Sequence, residues 1–397
     1  MLRFKNNDGT DFPDWEEKCF GDFFITHLEK TSDKNSYPLY SLTIESGVQP
    51  KTERYEREFL VKKEGDNYKI VPPNAFVYNP MNLRFGALKV NHEKFSVSVS
   101  GYYDVFSLKD DSTLAFWENY LVTPRMLNYY FSIATGSLIE KLRVHYSQFV
   151  KIKKNVPCFS EQQKISDFLS TIDTVIEKQK ATVEAWEERK KGVMQKLFSQ
   201  EVRFKADNGS EFPDWEEKKM NEIAILNPKT GCIPDEFYYM DLGSVDNGTW
   251  NSKIVVKKEN APSRAQRNAM VGDCFFQSVR PYNKGHYLLK GNLDKKIVAS
   301  TGFIQMRMFS EYDSGFVYQM FFLDEFNEKV AVRCIGQTYP AINMDGFSEI
   351  QMLFPCLVEQ QKIADCLSSL DDVIEKQKAT LAAWEEMKKG LLQQMFV

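Results

Sequence analysis

The sequence has few of the residues that build metal sites or disulfide frameworks. It contains 4 histidines and 7 cysteines in 397 residues, and the cysteines are scattered and never spaced as C-x-x-C. Disulfide-rich domains show an even set of regularly spaced cysteines, and zinc sites show closely spaced cysteine or histidine pairs. The composition therefore predicts neither disulfides nor a bound metal.

Long apolar runs are also lacking. No stretch approaches the roughly 20 residues that span a bilayer, and the opening MLRFKNNDGTDF has no apolar segment of the signal-peptide kind. With 27% charged and 43% hydrophobic residues, the chain is expected to fold around real cores in the cytoplasm, with no membrane partner. Its length favours two or three domains.

Signatures of catalysis are missing as well. Residues 79–82 (NPMN) resemble the [DN]-P-P-[YFW] motif of amino-methyltransferases, but they lack the second proline and the aromatic residue. No glycine-rich loop for S-adenosylmethionine accompanies them, and no G-x-x-x-x-G-K-[ST] sequence is present. We therefore expect this chain to be non-catalytic and to hold no cofactor.

One acidic segment imitates a nuclease motif. Pro13-Asp14 followed by Glu16-Glu17-Lys18 looks like a PD...E-x-K site, but such sites separate the two parts widely so that two carboxylates meet at one metal. Two structural explanations fit better and stay open. One is a capping box at Asp14 and Glu17, repeated at Asp214 and Glu217, and the other is a short strand starting at Trp15 and Trp215.

Two separated blocks of the sequence occur twice. Residues 2–20 match 202–220 with 11 of 19 positions identical, and residues 157–198 match 355–396 with 28 of 42 positions identical. The inserts 21–156 and 221–354 have similar lengths but no convincing alignment. The chain is therefore an internal repeat in which the framework stayed alike while the inserts diverged.

The second block has the spacing of a long helix. Apolar positions recur in alternating steps of four and three, with polar interruptions at Gln179 and Lys190 matched by Gln377 and Lys388. This period is typical of a coiled coil, and two equal seams in one chain favour an antiparallel pair with a pseudo-twofold relation. An ordinary core-facing helix is the alternative. The expected coiled-coil interface comprises Ile165, Leu169, Ile172, Ile176, Trp186, Ile363, Leu367, Leu370, Ile374 and Trp384.

The inserts have the pattern of mixed domains. Short β-branched and aromatic runs at 74–90, 94–108, 272–281 and 295–309 predict strands, and residues 123–142 and 314–330 predict helices. The sequence thus predicts an α+β fold of two mixed domains joined by two long helices. The expected segments are 1–157, 158–198, 199–355 and 356–397.

Charge is unevenly distributed along the chain. The net charge is −4, but the acidic excess lies in 1–18, 199–218 and 356–397. Basic residues cluster locally in the inserts, where Arg143, Lys151, Lys153 and Lys154 would suit contacts with a phosphate backbone. A solvated charged face explains any one cluster equally well.

Taken together, these parts resemble the DNA specificity subunit of type I restriction–modification systems. The resemblance rests on two variable inserts, each introduced by F-x-D-W-E-E-K and followed by an E-Q-Q-K-I helix ending near A-W-E-E-x-K-K-G. It covers the whole chain. The segments AFVYNPMNLRFGALKV and GDCFFQSVRPYNKG also resemble parts of target recognition domains.

The resemblance implies a function in DNA recognition. Each insert would be a target recognition domain that reads one half of a split, asymmetric site in double-stranded DNA, and the helices would set the spacer. Two methyltransferase subunits would methylate adenine at N6 with S-adenosylmethionine, and restriction subunits using ATP and Mg²⁺ would join them. A coiled-coil scaffold that binds no DNA is the competing hypothesis.

The family supplies no fixed base-reading residues, so the candidates come from the sequence itself. We expect DNA contacts from Asn82 and Arg84 in the first insert. In the second we expect them from Arg280, Tyr282, Asn283, Lys284 and His286. Each of these positions would otherwise be an ordinary loop residue.

Overall fold

A computed structural model describes residues 2–44, 47–51, 68–138, 141–229, 231–246 and 248–396. The chain divides into two compact units. Unit 1 comprises Met1–Lys180 and Ala379–Val397, and unit 2 comprises Ala181–Lys378. Each boundary lies inside a long helix, so each unit contains one insert and parts of both long helices. The fold is α+β, as the sequence predicts.

Unit 1 consists of short strands and short helices followed by the first long helix. Its strands are β1 (Glu16–Cys19), β2 (Phe24–His27), β3 (Lys30–Thr31), β4 (Tyr40–Thr43), β5 (Gly47–Pro50), β6 (Tyr68–Val71), β7 (Phe76–Tyr78), β8 (Leu88–Val90), β9 (Val97–Val99), β10 (Asp104–Leu108) and β11 (Lys153–Val156). Its helices are α1 (Leu114–Tyr120), α2 (Pro124–Ile133), α3 (Tyr146–Phe149) and the beginning of α4 (Phe159–Phe198).

The central sheet of unit 1 has the antiparallel order β2-β10-β7-β8, and it is covered on both faces. Phe76 and Phe106 point to an aromatic cluster with Trp117, while their neighbours Val77 and Val105 point to a second cluster. Successive side chains of a strand face opposite sides, so both must be apolar when both faces are buried. This accounts for the continuous apolar runs.

Unit 2 has a comparable set of elements. Its strands are β12 (Glu216–Lys219), β13 (Ala224–Leu226), β14 (Glu236–Met240), β15 (Val245–Asp246), β16 (Thr249–Trp250), β17 (Ile254–Lys257), β18 (Ala265–Asn268), β19 (Cys274–Gln277), β20 (Tyr287–Leu288), β21 (Ile297–Ser300), β22 (Phe303–Met308) and β23 (Gln351–Phe354). Its helices are α5 (Met220–Ile223), α6 (Ser314–Met320), α7 (Asp324–Arg333), α8 (Met344–Ser348) and the beginning of α9 (Leu357–Met395).

The two inserts share a core that their sequences do not reveal. The sheet β13-β22-β19-β20 has the same order as β2-β10-β7-β8, and the pair β12-β23 corresponds to β1-β11. Helices α6, α7 and α8 likewise follow the sheet in the same order as α1, α2 and α3. The outer sheets differ: unit 1 has β3-β6-β9, and unit 2 has β17-β14-β21-β18 with β14 and β21 parallel. The internal repeat therefore includes the insert cores.

Two helix predictions need correction. The helix expected over 123–142 ends at Ile133, because Ala134 is extended and Thr135 pairs with Arg143. A Cβ at Gly136 would lie 2.8 Å from the carbonyl oxygen of Lys141, an approach that only glycine allows. Residues 139 and 140 lie outside the described residues. The helix expected over 314–330 is interrupted, because a buried turn separates α6 from α7.

The repeated first block contains residues of a buried ion pair followed by a short strand. Of the two explanations left open, the strand is observed, one residue after Trp15 and Trp215, and the capping box at Asp14, Glu17, Asp214 and Glu217 is absent. Residues 16–19 and 216–219 form β1 and β12 instead. Before each strand, an arginine and a tryptophan bind the first turn of a long helix. The Arg3 guanidinium donates to Glu161 at 2.8 and 3.2 Å, and the Trp15 indole donates at 3.2 Å.

The same contacts occur in unit 2. Arg203 donates to Glu359 at 2.7 and 3.1 Å, and Trp215 donates at 3.2 Å. Both glutamates are almost completely buried. The first repeated block therefore fixes where each long helix begins, which explains why it recurs together with the second block.

In each unit the two long helices run antiparallel. In unit 1, Lys388 pairs with Asp173 at 2.5 Å and Glu385 with Lys180 at 3.2 Å, so residue numbers rise along one helix as they fall along the other. In unit 2, Lys190 pairs with Asp371 at 2.6 Å and Glu187 with Lys378 at 2.8 Å. The polar interruptions at Lys190 and Lys388 are therefore ion pairs between the helices.

The expected coiled-coil interface packs against two different partners. It is buried at Ile165, Leu169, Ile172, Ile176, Ile363, Leu367 and Ile374, but Leu370, Trp186 and Trp384 are half-buried. Ile165 and Leu169 pack in the aromatic cluster of unit 1 together with Leu391 and Leu392 of α9. The beginning of each helix thus contacts both the insert core and the end of the other helix. Neither of the two sequence hypotheses, helix pairing or a core-facing helix, suffices alone.

Candidate nucleic-acid interface

Most of the expected DNA-contact residues lie on two equivalent turns. A 3₁₀ turn at Leu83–Phe85 connects β7 to β8, and a 3₁₀ turn at Pro281–Asn283 connects β19 to β20. Because the central sheets have the same strand order, the two turns occupy the same place in the two units. We call them turn 1 (79–87) and turn 2 (279–286).

Turn 1 presents an arginine among exposed aromatic rings. The Arg84 guanidinium lies 4.7 Å from the ring centre of Phe85 and 5.6 Å from that of Phe131 on α2. Both rings are more than half exposed, at 54% and 56%. The Asn82 side chain is exposed, while its carbonyl accepts hydrogen bonds from the amides of Phe85 and Ala87 at 2.9 and 3.2 Å. The backbone is held while the Asn82 side chain reaches solvent, and the Arg84 side chain is half-buried.

A neighbouring loop adds a cation beside turn 1. The amide of Val144 donates to the carbonyl of Pro80 at 3.0 Å, which joins the loop between α2 and α3 to the turn. Arg143, the preceding residue, is exposed and bonds through its backbone to Thr135. The structure therefore brings Arg143 close to Asn82 and Arg84.

Turn 2 has the same arrangement with different residues. Arg280 has a left-handed backbone with φ of 51°, and its guanidinium lies 4.2 Å from the ring centre of Tyr339. Tyr339 belongs to the loop between α7 and α8. Tyr282 and Tyr339 are 61% and 63% exposed, and Asn283 is exposed.

Two residues of turn 2, Lys284 and His286, do not join Arg280, Tyr282 and Asn283 at the exposed surface of the turn. His286 is fully buried and stacks on Phe276 at 4.3 Å, and its Nδ1 accepts a hydrogen bond from the Gln277 amide at 3.1 Å. Burial, and to a smaller extent the charge of Lys284, lowers the pKa of His286 to about 3. His286 is a neutral core residue, which corrects the expectation that it contacts DNA. Lys284 lines a cleft beside α4 with Lys190.

The predicted phosphate contacts on β11 and just before it form a separate basic surface. Lys151 and Lys153 are exposed, whereas Lys154 is half-buried with its Nζ 3.3 Å from the ring centre of Tyr129. Burial, and to a smaller extent the charge of Arg125, lowers the pKa of Lys154. Arg125, which the sequence analysis did not single out, lines a pocket with Lys153 and Lys154.

Sequence reasoning missed the exposed aromatic residues Phe85, Phe131 and Tyr339. Phenylalanine and tyrosine are typical of core positions, so the sequence alone does not show that these three side chains are exposed. One usable signal existed for two of them: Phe85 follows the turn sequence NPMN, and Tyr339 begins the turn sequence YPA. No such signal marks Phe131, which lies on α2.

In the part of the chain that the structure describes, no group of three or more His, Cys, Asp or Glu side chains could hold a metal ion. Among the same residues, no helix combines the length and apolar character needed to span a membrane.

Comparison with known proteins gives a consistent picture. The family model described as "Type I restriction modification DNA specificity domain" matches residues 13–185 and 264–383. The MjaVIII specificity subunit of a type I restriction enzyme from Methanocaldococcus jannaschii is 25% identical over 260 residues, covering 62% of this chain and 61% of that protein. The HindI specificity subunit from Haemophilus influenzae is 23% identical over 189 residues, covering 46% and 41%. The chain thus spans 61% or less of these two relatives.

Solved structures agree on the fold. The crystal structure of a type I restriction–modification S subunit from M. genitalium has a TM-score of 0.57 at 15% identity, covering 100% of this chain and 98% of that chain. A structure that concerns "complex assembly and conformational transition of the type I R-M system" has a TM-score of 0.52 at 13% identity, covering 97% of this chain and 98% of that chain. With two family matches that together cover more than half of its residues, the chain belongs to the family of type I restriction–modification DNA specificity subunits.

Proposed function

We propose that this chain reads a bipartite, asymmetric DNA site and directs N6-adenine methylation and restriction by partner subunits. Unit 1 reads one half-site and unit 2 reads the other. The observation that carries this proposal is the pair of equivalent turns on a shared core. They have the same position and the same combination of an arginine with exposed aromatic rings, but different sequences.

The side chains of the turns suit the edges of bases. Arginine pairs with guanine and asparagine with adenine in the major groove, and aromatic rings add apolar contacts. Arg143 beside turn 1, and Lys151 and Lys153 on the separate basic surface, are exposed and suit phosphates, which fix position without reading sequence. Two turns of different sequence would recognise different half-sites, which makes the whole site asymmetric.

The repeated framework suits two copies of one partner. The ion pairs Arg3–Glu161 and Arg203–Glu359 and the helix ion pairs are reproduced in both units. We therefore infer two methyltransferase subunits, with restriction subunits joining them. The chain itself is non-catalytic in this proposal, and S-adenosylmethionine, ATP and Mg²⁺ are bound by the partners.

The long helices would set the unread spacer. Helix α4 has 40 residues and is therefore about 60 Å long at 1.5 Å per residue. An insertion of four residues near Gln179 would shift the helix by about 6 Å, close to the rise of two base pairs. The recognised spacer should lengthen, or assembly should fail.

The proposal is tested by mapping N6-methyladenine across the genome of cells that carry this chain and its methyltransferase partner. Deleting the chain should remove methylation from a split motif. Exchanging residues 21–156 for the corresponding insert of another specificity subunit should change one half of that motif and leave the other half intact. A map that the deletion leaves unchanged, together with no salt-dependent binding of duplex DNA, would favour the scaffold hypothesis.

A further inference from the structure

Arg280 has hydrogen-bond donors that the protein itself does not use. Its Nε is buried and has no hydrogen-bond partner, and no hydrogen bond or ion pair joins its side chain to any other described residue. Its one specific side-chain contact in the described structure is the stacking on Tyr339 at 4.2 Å. Buried polar groups in folded proteins are normally paired, and an unpaired one needs an explanation. The two terminal Nη groups of Arg280 are not among the buried atoms, so a ligand can accept hydrogen bonds from them.

The backbone around Arg280 is held from both sides. The Arg280 amide donates to the carbonyl of Pro340 at 2.8 Å, and its carbonyl accepts from the Asn283 amide at 3.0 Å. A φ of 51° is rare for a residue with a side chain, and it is maintained only where the surrounding structure enforces it. A paired backbone bridge between Val279 and Ala341 adds a further connection to the loop of Tyr339. The guanidinium is therefore pre-oriented before any ligand binds.

The shape of the donor group selects among the bases. A stacked guanidinium keeps its edge free, and that edge carries parallel N–H groups that match two acceptors lying in one plane. In the major groove, guanine offers two acceptors, N7 and O6, whereas adenine offers one acceptor and one donor, and thymine one acceptor. The exposed side chains of Tyr282 and Asn283 on the same turn can contact the neighbouring base edges.

We propose that Arg280 reads a guanine in the half-site recognised by unit 2, and that Tyr339 is the positioning residue for its guanidinium. This inference rests on the proposed function. It adds the base that is read, guanine, the residue that reads it, Arg280, and the ring that supports that residue, Tyr339. Arg280→Lys keeps the charge but loses the planar pair of donors, so it separates base reading from charge. Tyr339→Ala removes the supporting ring, and Tyr339→Phe keeps it.

The experiment uses the full chain expressed in cells with its methyltransferase partner, with N6-methyladenine mapped by sequencing. The exchange of residues 21–156 identifies the half of the motif that unit 1 reads, so the remaining half belongs to unit 2. Lys229→Ala, which removes an exposed lysine from unit 2, is the charge-matched control. Thermal unfolding of each purified variant checks that it is folded, and the Tyr339 variants carry the test should Arg280→Lys unfold.

In the wild type, the half read by unit 2 should contain a guanine. Arg280→Lys should reduce the preference for guanine at that one position by about 5- to 150-fold, the range expected for one bidentate base contact. Tyr339→Ala should relax the same position less strongly, Tyr339→Phe should restore it, and Lys229→Ala should leave the motif unchanged.

Three results would overturn the inference. One is a wild-type half-site without guanine. Another is an unchanged motif with uniformly weaker methylation, which would make Arg280 a phosphate contact. The third is relaxation in the other half of the motif. Failure of the proposed function looks different, because no chain-dependent split motif would then be present even in the wild type.

Discussion

Replacing Glu359 by alanine should destabilise unit 2 strongly. The Glu359 carboxylate is completely buried and accepts two hydrogen bonds from Arg203 and one from the Trp215 indole. The Glu359→Ala variant leaves the Trp215 indole and the Arg203 Nε without a partner. The Arg203 Nη2 keeps the carbonyls of Phe212 and Pro213, and the side chain remains only 23% exposed. The carboxylate raises the pKa of Arg203, chiefly through its hydrogen bond. The arginine stays charged in the variant as well, because arginine is effectively always protonated in proteins.

The expected loss of stability is large because breaking a buried ion pair costs more free energy than forming it contributes. Removing one partner leaves an uncompensated buried charge, which costs about 3–5 kcal/mol. For a unit of roughly 200 residues, each kcal/mol lowers Tm by about 2–4 °C, so Tm should fall by roughly 6–20 °C. Glu359→Gln keeps the side-chain shape and one acceptor oxygen, so its loss should be smaller.

Asp214 supplies the matched control. Its carboxylate lies 4.0 Å from the same Arg203 guanidinium but is fully exposed, so Asp214→Ala should have no measurable effect on Tm. Differential scanning calorimetry of the three variants is the assay. If Glu359→Ala lowered Tm no more than Asp214→Ala, the argument from burial would be refuted. The pair Glu161→Ala and Asp14→Ala repeats the comparison in unit 1.

Three further predictions use different features of the structure. Gly136→Ala should destabilise the fold by about 1–3 kcal/mol because the new Cβ meets a backbone carbonyl. Gly192→Ala, which has open space around it on α4, should stabilise the fold by about 0.5–1 kcal/mol. Urea unfolding measures both, and equal effects would contradict the position of Gly136 against the Lys141 carbonyl. The pKa of His286 is lowered to about 3 from 6.5, so stability should fall as pH drops below 6.5, and His286→Asn should flatten that slope in urea unfolding at pH 5 and 7.5. A double-mutant cycle on Lys190 and Asp371 should show a coupling of about 0.5–1 kcal/mol, and zero coupling would mean that their ion pair contributes nothing.

The sequence determined the parts of the fold that depend on local pattern. The heptad spacing within residues 158–198 and 356–397 predicts two long helices, and both are present as α4 and α9. The strands expected within 74–90, 94–108, 272–281 and 295–309 are also confirmed. These succeed because periodicity reflects which side of a helix or strand is buried, and that information lies within a few neighbouring residues.

Contacts between distant residues decided the rest. Arg3 and Glu161 are 158 positions apart. The sequence shows that both residues recur in the second repeat, but it does not show that they are in contact. His286 has the residue type of a binding group, yet three packed aromatic rings place it in the core. Phe131 and Tyr339 have the residue type of core positions, yet they remain at the surface. The common strand order of the two inserts is likewise invisible in their alignment. Many different sequences can form the same packed core, so a sequence pattern does not say which side chains are buried. Only the tertiary structure, which brings sheets, loops and helices together, decides which candidate contact residues lie at the surface.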